Sequence, residues 1–153
     1  MERLDPRVRF VWVVGTTVSA TLLGVFATIA IRFFDASLLW AGPALAAGIV
    51  VIGGIHAIYR YRRWRFELQD DAVYIERGVL THVRTVVPYV RVQHVDTQRS
   101  PTERAVGLAK VVVYTAGSRQ ADVSIPGLTP DRAEALQERL RRMAIESEPD
   151  DAV

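Results

Sequence analysis

The chain has 153 residues, half of them hydrophobic, and no cysteine, which excludes a disulfide framework, a thiolate nucleophile and a cysteine metal site. Its net charge of +2 divides unevenly: residues 1–63 hold seven arginines against three acids, a net of +4, and residues 64–153 hold twelve cations against fourteen acids, a net of −2. A nucleic-acid partner needs a basic soluble face, and the C-terminal part is mildly acidic.

In chain order, residues 1–9 form a short polar segment that carries Arg3, Arg7 and Arg9. Two apolar runs follow, 10–31 and 37–59, of 22 and 23 residues with no Asp, Glu, Lys or Arg in either. A bilayer core of about 30 Å needs roughly 20 helical residues, so residues 10–59 read as a two-helix transmembrane hairpin. A cleaved signal peptide is disfavoured for the first run, which exceeds the roughly 7–15 apolar residues of a signal core. Arginines crowd both hairpin ends (Arg60, Arg62, Arg63 and Arg65 after the second run), whereas the connecting loop has Arg32 offset by Asp35. The positive-inside rule then expects a two-pass protein of the cell membrane with both termini in the cytoplasm. Trp12, Tyr59, Tyr61 and Trp64 are expected at the inner interface, and Phe33, Phe34 and Trp40 at the outer one.

Within the first run Thr16, Ala20, Gly24 and Thr28 recur every four residues, a stripe of small side chains that lets helix backbones approach; Gly48 is the expected counterpart on the second run. The stripes serve either the packing of the two helices on each other or a partner in the membrane. His56 lies one turn before Arg60 and reads as an interfacial side chain, because no second polar group in the runs would continue a proton or ion pathway.

At Trp64 the pattern changes to period two, as half-buried strands require. Strands are expected over 64–69, 72–77, 81–88, 90–97, 110–114 and 121–125, with a turn at Asp70-Asp71 and a loop or single helical turn over 99–107. Residues from Pro130 form a helix with Thr129 as N-cap and Ala133, Leu136, Leu140 and Met143 on one face. Residues 145–153 read as a disordered acidic tail. A triad from Ser100, His94 and Asp96 is rejected, since the serine lacks the strained Gly-flanked turn of a nucleophile. No paired His or Cys spacing and no Gly-rich phosphate loop is present, so neither a metal nor a cofactor is expected.

An ordered set of residues raises a specific resemblance: Pro88, then Arg91-Val92-Gln93-His94-Val95, Pro101 and Arg104, Gly107-Leu108-Ala109, residues 111–114 running into Thr115-Ala116-Gly117, and Ile125-Pro126-Gly127-Leu128. Residues 64–143 resemble the bacterial PH domain family (bPH2, DUF304) of YdbS-like small membrane proteins, whose usual layout the preceding hairpin matches, and the PH-like domain is expected over residues 60–144. The resemblance implies a membrane-anchored β domain, a PH-like antiparallel barrel capped by a C-terminal helix, with no established enzymatic activity. It implies an interaction or assembly subunit that works beside a larger sibling bearing tandem copies, with oligomers open. Membrane lipids are the other expected contact, through Arg60, Arg62, Arg63, Trp64 and Arg65. A lipid-headgroup sensor using these arginines is the alternative, and an accessory subunit of a transporter a lesser one. The basic first hairpin loop of phosphoinositide-binding PH domains is replaced here by Gln69-Asp70-Asp71, which disfavours that mode.

Overall fold

The computed structural model describes residues 1–34, 36–116 and 122–147. Two compact units emerge: Arg9–Arg62, and a second that joins Met1–Val8 to the chain from Arg63 onward.

The first unit is a helical hairpin. Helix α1 spans Val8–Phe34 and α2 spans Ala41–Arg63, with a single 3-10 turn, Ala36–Leu38, in the connection. Both helices are long and apolar enough to cross a bilayer, and they extend past the apolar runs into their flanking arginines. The helices meet over small residues. A Cβ added at Gly24 would lie 2.7 Å from Ala46 Cβ and 3.0 Å from the Gly42 carbonyl, one at Gly42 would overlap Thr28, and one at Gly53 would overlap Thr16. Ala20 is fully buried. Thr16 and Thr28 donate to the carbonyls of Trp12 and Gly24, so their hydroxyls are satisfied within α1, and Thr16 presents its methyl to Gly53 while Thr28 presents its hydroxyl oxygen to Gly42.

Gly48 does not belong to this contact. It is exposed, and a Cβ there would meet nothing within 4 Å. The packed face of α2 runs through Gly42, Ala46 and Gly53, and at about 100° per residue Gly48 points away from it. At the open end of the hairpin two cation–π contacts cross reciprocally. The Arg9 guanidinium stands 5.0 Å from the Tyr61 ring and that of Arg60 4.2 Å from the Trp12 ring, contacts of about 0.5–1 kcal/mol each where exposed.

The second unit contains two antiparallel sheets. Strands β1 (Glu2–Arg3), β2 (Arg65–Leu68), β3 (Ala72–Arg77) and β4 (Val83–Pro88) form one in that order. Strands β5 (Val92–Gln98), β6 (Ala109–Thr115) and β7 (Val123–Leu128) form the other. Between β4 and β5 the chain makes a 3-10 turn, Tyr89–Arg91, where continuous strand from residue 90 was expected. The expected loop over 99–107 contains α3 (Pro101–Ala105), started by a capping box in which Ser100 and Glu103 bond each other's backbone N–H. Helix α4 (Pro130–Glu146) packs along β5, β6 and the 3-10 turn before β5 and buries Ala133, Leu136 and Leu140; Phe66, Ile75, Leu108 and Ile125 are buried as well. This is the PH-like outline. Because α4 reaches Glu146, Ile145 belongs to the helix and not to a tail, while residues 148–153 lie outside the described residues.

Three further placements differ from the sequence reading. Residues 1–9 are not a separate segment: β1 pairs with β2 in the register Glu2↔Phe66 and Arg3↔Arg65, and Leu4 and Val8 are buried. A two-residue strand leaves no periodicity to read. Trp64 is not at the membrane surface but in the core, 3% exposed and edge-on to Phe66 at 6.1 Å, since it is the apolar residue immediately before the inward-facing alternation of β2. Finally, β7 continues through Gly127 to Leu128. Gly127 has φ +65°, and a Cβ there would lie 2.8 Å from Val8 Cβ, so only glycine offers both the conformation and the space.

The N-terminal segment is held by polar contacts as well. The Asp5 N–H donates to the Gly127 carbonyl at 2.7 Å. Arg7 donates from Nε and Nη2 to the two Asp5 carboxylate oxygens at 3.0 and 3.1 Å, and from Nη1 to the Val106 carbonyl at 3.0 Å. The Arg7 guanidinium holds the Asp5 carboxyl below the ordinary carboxylate value against the opposing effect of partial burial, and the Arg7 N–H adds to the lowering.

Two predictions follow from these contacts. Gly24→Leu, which forces bulk into the helix contact, should destabilise the protein in detergent by about 1–3 kcal/mol, whereas Gly48→Leu should leave the melting temperature unchanged; equal effects would contradict the packing. Because the folded-state pKa of Asp5 is depressed, its contribution is complete above the unfolded value of about 3.9 and is lost as pH falls through the lower folded value. The stability gap between wild type and Asp5→Asn should therefore be widest near neutrality and close as the pH falls through the lowered folded-state value, as read by thermal unfolding across pH.

Candidate functional site

A groove of about 490 Å³ lies within the second unit, between β5, the 3-10 turn before it and the C-terminal half of α4. Each wall follows from local sequence. Among the described residues strand β5 is an edge of its sheet, paired only with β6, and its register shifts between Val92 and His94, so Gln93 is the extra residue of a bulge. Val92 and Val95 line the strand side; Gln137, Arg141, Ala144 and Ile145 line the helix side. Gln137 spans the two, donating to the Val95 carbonyl at 2.7 Å and accepting from the Thr97 hydroxyl at 2.9 Å. This bond closes one end of the groove by occupying an edge carbonyl. Farther along α4 the edge is not closed in this way, and Val90 and Ile145 remain 64% and 60% exposed.

Tyr89 forms the fully buried floor, its hydroxyl donating to the Gln69 carbonyl at 2.8 Å. Burial pushes the phenol above its ordinary value, outweighing the opposite pull of Arg139, so it stays a donor at neutral pH. Electrostatically the lining is one-sided. Arg141 is a fixed cation and His94 an imidazole, and no acid among the described residues lines the cavity; Glu138, at 3.8 Å from Arg141, and Asp96, at 3.9 Å from His94, stand outside it.

This arrangement suits binding more than bond chemistry. His94 stacks on Tyr114 at 4.1 Å, and its imidazole and the Asp96 carboxylate are both solvated. The Ser100 hydroxyl is committed to the cap of α3, accepting the Glu103 N–H at 3.3 Å. Edge backbone, apolar walls and a cation are what an extended polypeptide with an acidic side chain would use.

The residues singled out in sequence scatter by role. Pro88 ends β4, Pro101 starts α3, and Arg104 is exposed on α3 with its carbonyl accepting the Gly107 N–H. Gly107, at φ +69°, turns the chain beneath Arg7. Thr115 ends β6 opposite Val92. Gly117 lies outside the described residues. Of that set, the described residues that reach the groove are Val92, Gln93, His94 and Val95. Of the junction arginines, Arg60 is engaged with Trp12, Arg62 and Arg63 are exposed, and Arg65 faces Arg3 across the ladder. The helix side of the groove was not legible beforehand. Its one signal was Ile145, an apolar residue lying one turn beyond the Ala133–Leu140 core positions and two residues after Met143.

Comparison with known proteins places these observations in a family. The profile of the bacterial PH domain family, bPH_2, matches residues 11–144, so it includes the hairpin as well as the sheets. The chain is 31% identical over 128 residues to the UPF0699 transmembrane protein YdbS of Bacillus subtilis, an alignment covering 80% of this chain and 78% of that one. It is 26% identical over 97 residues to the UPF0699 transmembrane protein YdbT of the same organism, covering 62% of this chain but one fifth of that protein's length. Among solved structures, a pleckstrin-homology-domain protein of the DUF1696 family from Shewanella loihica aligns with a TM-score of 0.42 at 14% identity, over 56% of this chain and 74% of that one. With a family match across both the apolar hairpin and the PH-like sheets, the chain belongs to the bacterial PH domain family of membrane proteins.

Proposed function

We propose that this protein is a non-enzymatic assembly subunit of the cell membrane, whose PH-like unit lies in the cytoplasm and takes an extended segment of a partner protein into the β5–α4 groove. The observation that carries the reading is the groove: an open sheet edge beside apolar walls whose described lining carries Arg141 and His94 and no acid. An edge strand supplies backbone hydrogen bonds and the alternate pockets beside it supply specificity. The exposed Val90 and Ile145 add about 1.5–3 kcal/mol apiece if fully covered. A segment with an acidic residue facing Arg141 fits this charge.

The partner class is a larger membrane protein with several copies of the same domain. Support comes from the longer relative, which resembles this chain over a fraction of its length. Orientation rests on charge: seven arginines flank the hairpin on its domain side, Arg3, Arg7, Arg9, Arg60, Arg62, Arg63 and Arg65, against Arg32 in the connection.

A photo-crosslinking residue in place of Ile145, activated in native membranes, tests both groove and partner. The expected product is a covalent adduct to one larger family member, reduced at least tenfold by Arg141→Glu without loss of folded protein. Recovery of uncrosslinked monomer alone, or an adduct indifferent to Arg141→Glu, would contradict the reading.

A further inference from the structure

The pairing of β1 with β2 creates a second feature, independent of the groove. We propose that Arg3 and Arg65 form a clamp for a phosphate-bearing anion, and that the anion is the headgroup of an acidic phospholipid. The two arginines are direct partners across the ladder, so their side chains leave the same face of the sheet with Cβ atoms about 5 Å apart. Like charges opposed in this way destabilise a ladder unless something neutralises them.

The acids nearby are already engaged. Glu76 is Arg65's partner on β3, but its carboxylate lies 3.8 Å from Arg84 Nε. Glu67, two residues along β2 on the same face, lies 3.9 Å from the N-terminal amino group. Glu2 precedes Arg3 on the opposite face and binds Arg132 at 3.0 Å. Neither Arg3 nor Arg65 forms an ion pair among the described residues. Arginines on directly opposed residues can each offer a planar fork of N–H donors to phosphate oxygens.

Position along the chain selects the source of the phosphate. Arg3 stands five residues before α1 begins and Arg65 two residues after α2 ends, at the points where the chain enters and leaves its apolar hairpin. Lipid headgroups are the concentrated anions there, and each cation near an acidic leaflet contributes about 1 kcal/mol. Gln69-Asp70-Asp71 in the β2–β3 turn has the opposite sign and takes no part.

The test is thermal unfolding of the full chain in neutral detergent with added dioctanoyl phosphatidylglycerol, dioctanoyl phosphatidylcholine or inorganic phosphate at equal concentration. Phosphatidylglycerol should raise the melting temperature in a saturable, salt-weakened manner, and the other two additions should raise it little. Arg3→Gln and Arg65→Gln should each weaken the apparent lipid affinity roughly tenfold, about the effect of one charge-assisted hydrogen bond. In the absence of lipid each should leave the melting temperature unchanged or raise it, because repulsion is relieved. A variant with both Arg62 and Arg63 replaced by Gln should keep the lipid response. The clamp is overturned if both single variants respond like wild type, if phosphatidylcholine acts as strongly as phosphatidylglycerol, or if lipid-free stability falls in both, which would make the arginines packing elements. An equal response to inorganic phosphate overturns the lipid as the source.

Discussion

The contact between Val8 and Gly127 is the constraint on which the remaining architecture depends. A strand residue with φ +65° and no Cβ leaves a niche in β7, and the last residue before the apolar hairpin fills it. The Asp5 N–H then reaches the Gly127 carbonyl, Arg7 ties Asp5 to the α3–β6 connection, and Glu2–Arg3 continue as an edge strand on β2. A segment that precedes the membrane passage in sequence is thus built into the unit that follows it. Burial of Leu4 and Val8 is worth about 1.5–3 kcal/mol for each side chain, enough to offset ordering of a short segment at about 1–2 kcal/mol per residue only with the help of the hydrogen bonds.

Seen this way, the hairpin is an insertion between two neighbouring strands. The chain leaves the PH-like unit after Val8 and rejoins it at Arg63, so two membrane passages begin and end on one side whatever that side is. The reciprocal contacts of Arg9 with Tyr61 and of Arg60 with Trp12 close the hairpin where it opens, and the small residues at Gly24, Gly42 and Gly53 close it along its length. The arginines near the junction consequently do different things. Arg7 and Arg60 serve the fold, while Arg3 and Arg65 retain their charge for a ligand.

Much of this was legible in residue pattern where a pattern had room to repeat. The hairpin declares itself by two runs longer than a bilayer is thick. Strand β3 is bracketed by Asp70-Asp71 and Gly78, and its expected limits agree with those observed. Helix α4 announces its start at Thr129-Pro130 and its buried face at Ala133, Leu136 and Leu140. What could not be read is what arises between distant segments. Two residues of β1 have no period; Trp64 looks like an interfacial aromatic until β2 turns it inward; Gly48 resembles Gly42 and Gly53 in composition but differs in azimuth. The groove needs Val92 and Val95 beside Arg141 and Ile145, some 50 residues later, and no local signal joins them. Gly107 and Gly127 appeared in sequence as family positions, and their reason, a niche for residues 7 and 8, exists only in the folded chain.

The account stands most directly on amide hydrogen exchange of the intact protein in detergent micelles. If the N-terminal segment is part of the PH-like unit, the Asp5 amide, bonded to Gly127 at 2.7 Å, should be protected to a degree comparable with the amides of β2 and β3 and should exchange with them. Exchange of residues 2–8 at the rate of an unstructured chain, while β3 stays protected, would contradict it.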